Sequence, residues 1–217
     1  APYPAGLELN LSCPHAKGYG MALGQDPELV FEIIKAVKAA VDIPVIPKLT
    51  PNTDRFSDIV RAAFDAGADA LCAINTVGPG YTSAYSHPVL SNGAGGLSGK
   101  GILPIALKCV REIRAVCDLP IIGCGGGSAA NDVRAMQDAG ASSIGVGSAL
   151  TGMTTADIKD YFEVLASPEP LIAQTAETKV RYDLDTAFKP VTLVENQKVC
   201  EDIVLLTFAE NFEIKAG

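Results

Sequence analysis

The sequence has no tryptophan, only two histidines and three methionines, and no Cys-x-x-Cys pair among its six cysteines. Two histidines without paired spacing cannot complete a zinc site, so no metal is expected. Cys13, Cys72, Cys109, Cys117, Cys124 and Cys200 lie mostly in apolar runs and read as reduced thiols of a cytoplasmic protein. There is no Lys/Arg run, and the 217-residue chain carries a formal net charge of −8. Nucleic acid and anionic membranes are therefore not expected partners. No apolar run reaches the ~18–20 residues of a membrane-spanning helix, and APYPAGLELN at the N-terminus has no signal-type segment. The chain opens without Met on a strand-like run and stops at EIKAG, which reads as a fragment of a longer polypeptide.

What is present is 21 glycines, 48% hydrophobic residues and a repeated strand–loop–helix pattern. Strands are expected at Leu7–Leu11, Val45–Leu49, Ala70–Ile74, Pro120–Ile122 and Ser143–Val146. Between and after them, helical spacing of apolar residues predicts helices over 27–40, 58–66, 104–116, 129–139 and 155–165. Asp26-Pro27 reads as an N-cap followed by an N1 proline. Pro47, awkward inside a strand, marks an expected bulge. Gly78 to Gly101 reads as one long Gly/Pro/Ser-rich loop.

Strands apolar on both faces with helical connections imply a parallel sheet covered by helices. DAGADAL at 65–71 and DAGASSI at 138–144 each join a helix end to a strand, a weak repeat that suggests a (β/α)8 TIM barrel represented by about five of its units. Residues 1–170 would form this part. SPEP opens a linker over 171–188, and PVTLVENQKV with DIVLLTFA reads as two antiparallel strands turning near Cys200–Asp202. They would begin an all-β unit over 189–217.

In such barrels the reacting groups stand at the C-terminal ends of the strands, and the last two strands commonly supply a phosphate site. IIGCGGGS and IGVGSAL end the fourth and fifth visible strands, so Gly125, Gly126, Gly147 and Ser148 are candidates to bring backbone N–H groups to an anion. Tight turns alone would also account for them. Lys48 in VIPKLT lies in an apolar run and needs an anionic or electron-rich partner unless it reaches solvent at the strand tip. Asn75 and Thr76 in INTVGPGY offer donors and acceptors to a polar ligand, or simply a turn. Asn10 and Cys13 stand at the first strand end, where Cys13 is either a packed apolar residue or a thiol at the mouth of a site. His15 and His87 read as loop histidines rather than catalysts.

Taken together, ELNLSCPH, PKLTPN, INTVGPG, GGLSGKGILPIALKCV, IIGCGGG and IGVGSAL resemble, in this order, the catalytic subunit of the NAD-linked, two-component dihydroorotate dehydrogenases over residues 7–166. KPVTLVENQKVCEDIVLLTF resembles the start of the electron-transfer subunit, a ferredoxin-reductase-like flavoprotein, fused here in cis. The resemblance implies an FMN-binding barrel that oxidises dihydroorotate to orotate in pyrimidine synthesis and passes electrons to NAD. FAD and a [2Fe–2S] cluster would belong only to the electron-transfer part beyond this sequence, and the complete protein would be a homo-oligomer. By matched position, Cys13 would be the base. Lys48 would meet the flavin ring, Ile74 and Gly99 would line it, and Gly125, Gly126, Gly147 and Ser148 would hold its phosphate. Asn10, a flavin contact as well, would hold the pyrimidine together with Asn75 and Thr76. His15 stands where the family commonly has Asn, and SCPH with GQDPELV is also similar to the dihydropyrimidine dehydrogenases, the alternative substrate class. A non-redox phosphate-binding barrel shares the glycine pattern.

Overall fold

The structure, a computed structural model, describes residues 4–13, 20–81, 83–84, 87–88, 90, 93–166, 193–200 and 203–208. In chain order the elements are β1 (Leu7–Asn10), α1 (Met21–Gly24), α2 (Pro27–Ala40), β2 (Val45–Leu49), α3 (Phe56–Asp65), β3 (Leu71–Ala73), β4 (Val77–Tyr81), β5 (Ser83–Ala84), β6 (His87–Pro88), β7 (Ala94–Leu97), α4 (Leu103–Val116), β8 (Ile121–Cys124), α5 (Ala130–Ala139), β9 (Ser143–Gly145), α6 (Thr155–Leu165), β10 (Leu193–Cys200) and β11 (Ile203–Phe208). The chain divides into two units, Ala1–Thr82 with Leu90–Pro170, and Ser83–Val89 with Leu171–Gly217.

The first unit is built on five parallel strands in the order β1-β2-β3-β8-β9. Neighbours in the sheet follow chain order, and α2 to α6 pack against one another in the same succession. A sheet that always advances in one direction, with each crossover helix beside the last, is the pattern of a βα-barrel segment rather than of a sheet that reverses at a switch point. α2 shows how the sequence sets one unit. The Asp26 carboxylate accepts the Glu28 N–H at 2.9 Å, Pro27 occupies the position where no donor is needed, and Val30 and Ile34 are fully buried. Burying each of those two side chains stabilises the unit by ~1.5–3 kcal/mol.

The repeated DAG phrase has one structural meaning in both places. Gly67 (φ 88°) and Gly140 (φ 113°) end α3 and α5 in the left-handed region. Ala68 N–H then reaches back to the Ala63 carbonyl, and Ala141 N–H to that of Met136. Each helix is thereby stopped and turned into the next strand.

Side chains alternate across the strands. Val45, Leu49, Leu71, Ala73 and Ile121 are buried, and all except Val45 belong to the core cluster shared with α2 to α5. Lys48, Cys72 and Cys124 occupy the opposite parity. β2 passes through Pro47 with β1 in continuous register from Leu7↔Val45 to Asn10↔Lys48, so the expected bulge is absent. Its pairing with β3 begins one residue later, at Lys48↔Cys72, and the strand stays in register around a residue that cannot donate.

The expectation of one loop from Gly78 to Gly101 is corrected. β4 pairs antiparallel with β7 through Val77↔Leu97, Gly80↔Gly95 and Tyr81↔Ala94. Backbone hydrogen bonds hold this ribbon, so a composition poor in strand-forming side chains conceals it. In the second unit β5 pairs with β6, and β10 with β11 antiparallel from Leu193↔Phe208 to Cys200↔Ile203. The expected linker over 171–188 and His15 lie outside the described residues.

Candidate active site

The C-terminal ends of β2, β3, β8 and β9, with the segment entering α4, enclose a cavity of about 440 Å³. This is within the range of cofactor sites. Lys48, Ile74, Asn75, Thr76, Gly99, Gly125, Gly126, Gly147 and Ser148 all line it, together with Ser98, Ile102, Cys124, Gly127, Gly145 and Val146. Among the described residues of that lining, Lys48 is the one that carries a charge.

The glycine end has a steric reason. Gly126 adopts φ 77°, and a Cβ there would stand 2.6 Å from the backbone nitrogen of Leu103. Gly125 adopts φ 110°, and its Cβ would lie 3.0 Å from the Ile74 side chain. Side chains are thus excluded where the backbone turns under the cavity, which leaves peptide N–H groups as the polar surface. That is the chemistry of an anion cradle.

Asn10 reaches the site through Ser12. The buried Ser12 hydroxyl donates to Asn10 Oδ1 at 3.1 Å and accepts from Asn75 Nδ2 at 2.8 Å. Asn75 Oδ1 accepts the Thr76 N–H at 2.7 Å, so one Asn75 amide hydrogen remains for a ligand. Thr76 fits because Gly96 has no side chain; a Cβ there would come within 1.9 Å of Thr76 Oγ1. Cys13 is half-buried and is not part of the cavity lining. Its carbonyl accepts the Met21 N–H at 3.0 Å, and Gly20 lies so close that a Cβ would stand 2.8 Å from that same carbonyl oxygen.

Three contributors carried no sequence signal of their own. Ser12 is one. Asn52 is the second: its Nδ2 donates to the Thr76 carbonyl at 3.0 Å and its Oδ1 accepts the Gly78 N–H at 2.8 Å, tying the end of β2 to the end of β3. The third is Cys124, whose Sγ lies 3.7 Å from that of Cys72. A Cβ on Gly145 would fall 2.4 Å from this sulfur, so the glycine makes its room.

The hydrogen bond with Cys72 holds the Cys124 thiol below its ordinary range; burial and Glu8 oppose this, while Lys48 and the Gly145 N–H support it. Cys72, sharing the proton and buried, is pushed up. A lowered value means that thiolate persists to lower pH. Alkylation of Cys124 by iodoacetamide, followed by peptide mapping, will therefore rise with pH through a midpoint below the ~8.5 of a free thiol. Cys72→Ala removes the donor and will raise that midpoint; an unchanged midpoint would show the pair to be uncoupled.

Among the described residues no group of three His, Cys, Asp or Glu side chains could hold a metal ion. None of the described helices is long and apolar enough to cross a membrane.

The family model described as dihydroorotate dehydrogenase matches residues 1–164. The dihydroorotate dehydrogenase B (NAD(+)) catalytic subunit of Thermococcus kodakarensis is 50% identical over 146 residues, covering 67% of this chain and 48% of the relative. That of Pyrococcus horikoshii is 49% identical over 150 residues, 69% of this chain and 50% of the relative. The chain therefore spans about half the length of the curated relatives it matches. Among solved structures, DHODH from Eimeria tenella in complex with ferulenol superposes with a TM-score of 0.59 at 23% identity, covering 73% of this chain and 49% of that one. The ligand-free form gives 0.56 at 26%, covering 67% and 46%.

Proposed function

The chain belongs to the dihydroorotate dehydrogenase family, and from that premise we propose that it supplies the FMN-binding half of an enzyme that oxidises (S)-dihydroorotate to orotate in pyrimidine synthesis. One observation carries the reading. A single cavity joins the Lys48 cation, an apolar wall at Ile74 and Ile102, a glycine-lined anion cradle and Asn75, which ends the hydrogen-bonded chain from Asn10 through Ser12. These are the contacts that a flavin phosphate, an isoalloxazine ring and a pyrimidine ring require, so the residues fit the group.

When bound, FMN supplies the two-electron acceptor for hydride from C6 of the substrate. The chain's own groups do the rest. The Lys48 ammonium stabilises negative charge at the electron-rich edge of a ring in the cavity. Gly125, Gly126, Gly147 and Ser148 bind phosphate through backbone N–H groups, and Gly99 leaves room for the ring. Asn10, Asn75 and Thr76 orient the pyrimidine, and Cys13, on the loop after β1 and outside the cavity lining, is the base that removes the C5 proton.

The same proposal covers the tail. Residues 189–217 open an electron-transfer module fused in cis, as the antiparallel β10–β11 pair and the sequence resemblance support. FAD and a [2Fe–2S] cluster would be held by the rest of that module, with NAD as the acceptor. The enzyme would be a cytoplasmic homo-oligomer.

Adding orotate to the FMN-loaded gene product will perturb the visible flavin spectrum, and uracil will leave it unchanged. A response to uracil alone would move the assignment to the dihydropyrimidine dehydrogenases, and failure to bind FMN would leave a non-redox barrel.

A further inference from the structure

The N-cap of α5 is Ala129, a residue with no side-chain acceptor to cap a helix. The missing acceptor comes from Asp132, one turn inside. Its Oδ2 accepts the Ser128 N–H at 3.0 Å, the Ala129 N–H at 3.0 Å and the Ser128 hydroxyl at 3.3 Å. Its Oδ1 is paired with the Lys100 ammonium. The carboxylate is 7% exposed and the lysine side chain 59%.

The position of this pair matters because Lys100 is next to the cavity lining in the chain, and Asp132 holds Ser128, which is next to it as well. Lys100 follows Gly99, and Ser128 follows Gly127. The Ser128 and Ala129 N–H groups that would otherwise be open to a ligand's anion are therefore taken up by Asp132, and a buried negative charge stands beside the glycine cradle. A phosphate dianion there would be repelled unless that charge were cancelled.

We propose that Lys100 and Asp132 form a neutral latch that joins the Ser98–Ile102 segment to the Gly125–Ser128 turn and permits the cavity to prefer a phosphorylated ligand over its unphosphorylated form. The proposal rests on the flavin reading of the cavity. Lys100 and Asp132 are positioning residues that act through the charge and placement of the cradle.

Burial raises the Asp132 carboxyl, but Lys100 and the Ser128 and Ala129 N–H groups outweigh it and hold it below the usual carboxylate range. In Lys100→Met the three remaining donors keep Asp132 ionised at neutral pH, now uncompensated. In Lys100→Met/Asp132→Asn the amide oxygen still caps the helix and no charge is left.

The test compares FMN with riboflavin, which lacks the phosphate, by fluorescence titration of the full-length gene product. Lys100→Met will weaken FMN binding about tenfold at low salt, the modest size reflecting a solvent-screened lysine, and will leave riboflavin affinity unchanged. The loss will shrink as ionic strength rises, and the double variant will recover FMN affinity. Equal losses for both flavins, or no recovery in the double variant, would reduce the pair to a structural brace and overturn the proposal. Wild-type protein that binds neither flavin would overturn the flavin reading, and the latch with it.

Discussion

On the proposed reading, replacing Cys13 with serine will slow reduction of bound FMN by dihydroorotate about 10²–10⁴-fold, the usual worth of a positioned general base. Serine has nearly the same shape, but a hydroxyl is a far weaker acid than a thiol. Orotate affinity, which the proposal assigns to Asn10, Asn75 and Thr76, will stay within a few-fold of wild type. The structure explains why the position is held while leaving the sulfur's task to experiment. The Cys13 carbonyl anchors the first turn of α1, and Gly20 presses against it. Anaerobic stopped-flow at the flavin's visible absorbance maximum reads the rate. A serine variant reduced at close to the wild-type rate would move the base to another residue.

The second large effect concerns the scaffold under that loop. Gly24 is buried at the end of α1, and a Cβ there would lie 1.8 Å from the Leu11 carbonyl oxygen and 2.8 Å from its carbonyl carbon. Both atoms are backbone and cannot rotate away, so either α1 or the chain leaving β1 must shift. We expect Gly24→Ala to cost about 3 kcal/mol, the upper part of the overpacking range. For a chain of this size that corresponds to a melting temperature lower by roughly 6–12 °C. Thermal unfolding followed by the helical circular dichroism signal measures it. A melting point unchanged within ~2 °C would mean that the α1–Leu11 approach is looser than described. Because Leu11 precedes Ser12 and Cys13, the variant that folds will also bind orotate less well.

The barrel strands were legible because they are short apolar runs followed by glycine or polar residues, and β2 was read to the residue. α3 begins at Phe56 rather than Asp58, since its N-cap, Arg55, makes no side-chain cap and leaves no local mark. The β4–β7 ribbon was misread for the opposite reason: its glycines and prolines suit a loop by composition, and only main-chain pairing reveals a strand. Lys48, Asn75, Thr76 and the glycines at the β8 and β9 ends could be named in advance because βα topology brings the C-terminal ends of β2, β3, β8 and β9 to one mouth, whereas Asn10 and Cys13 at the end of β1 are not in the lining. Ser12, Asn52 and Cys124 could not be named in advance. Ser12 joins Asn75 across 63 residues, and Asn52 reaches Gly78 across 26, so their roles exist only after folding.

The alternation of side chains along the central strands has an evolutionary consequence. Leu49, Leu71, Ala73 and Ile121 answer to the helices, whereas Lys48, Cys72 and Cys124, of the opposite parity on the same strands, answer to the cavity side. Selection for a different ligand can therefore rewrite one parity of the sheet while the other remains under constant pressure to fold. A barrel wall of this kind lets catalytic novelty and thermal robustness be inherited as nearly separate traits, although both are written in adjacent residues.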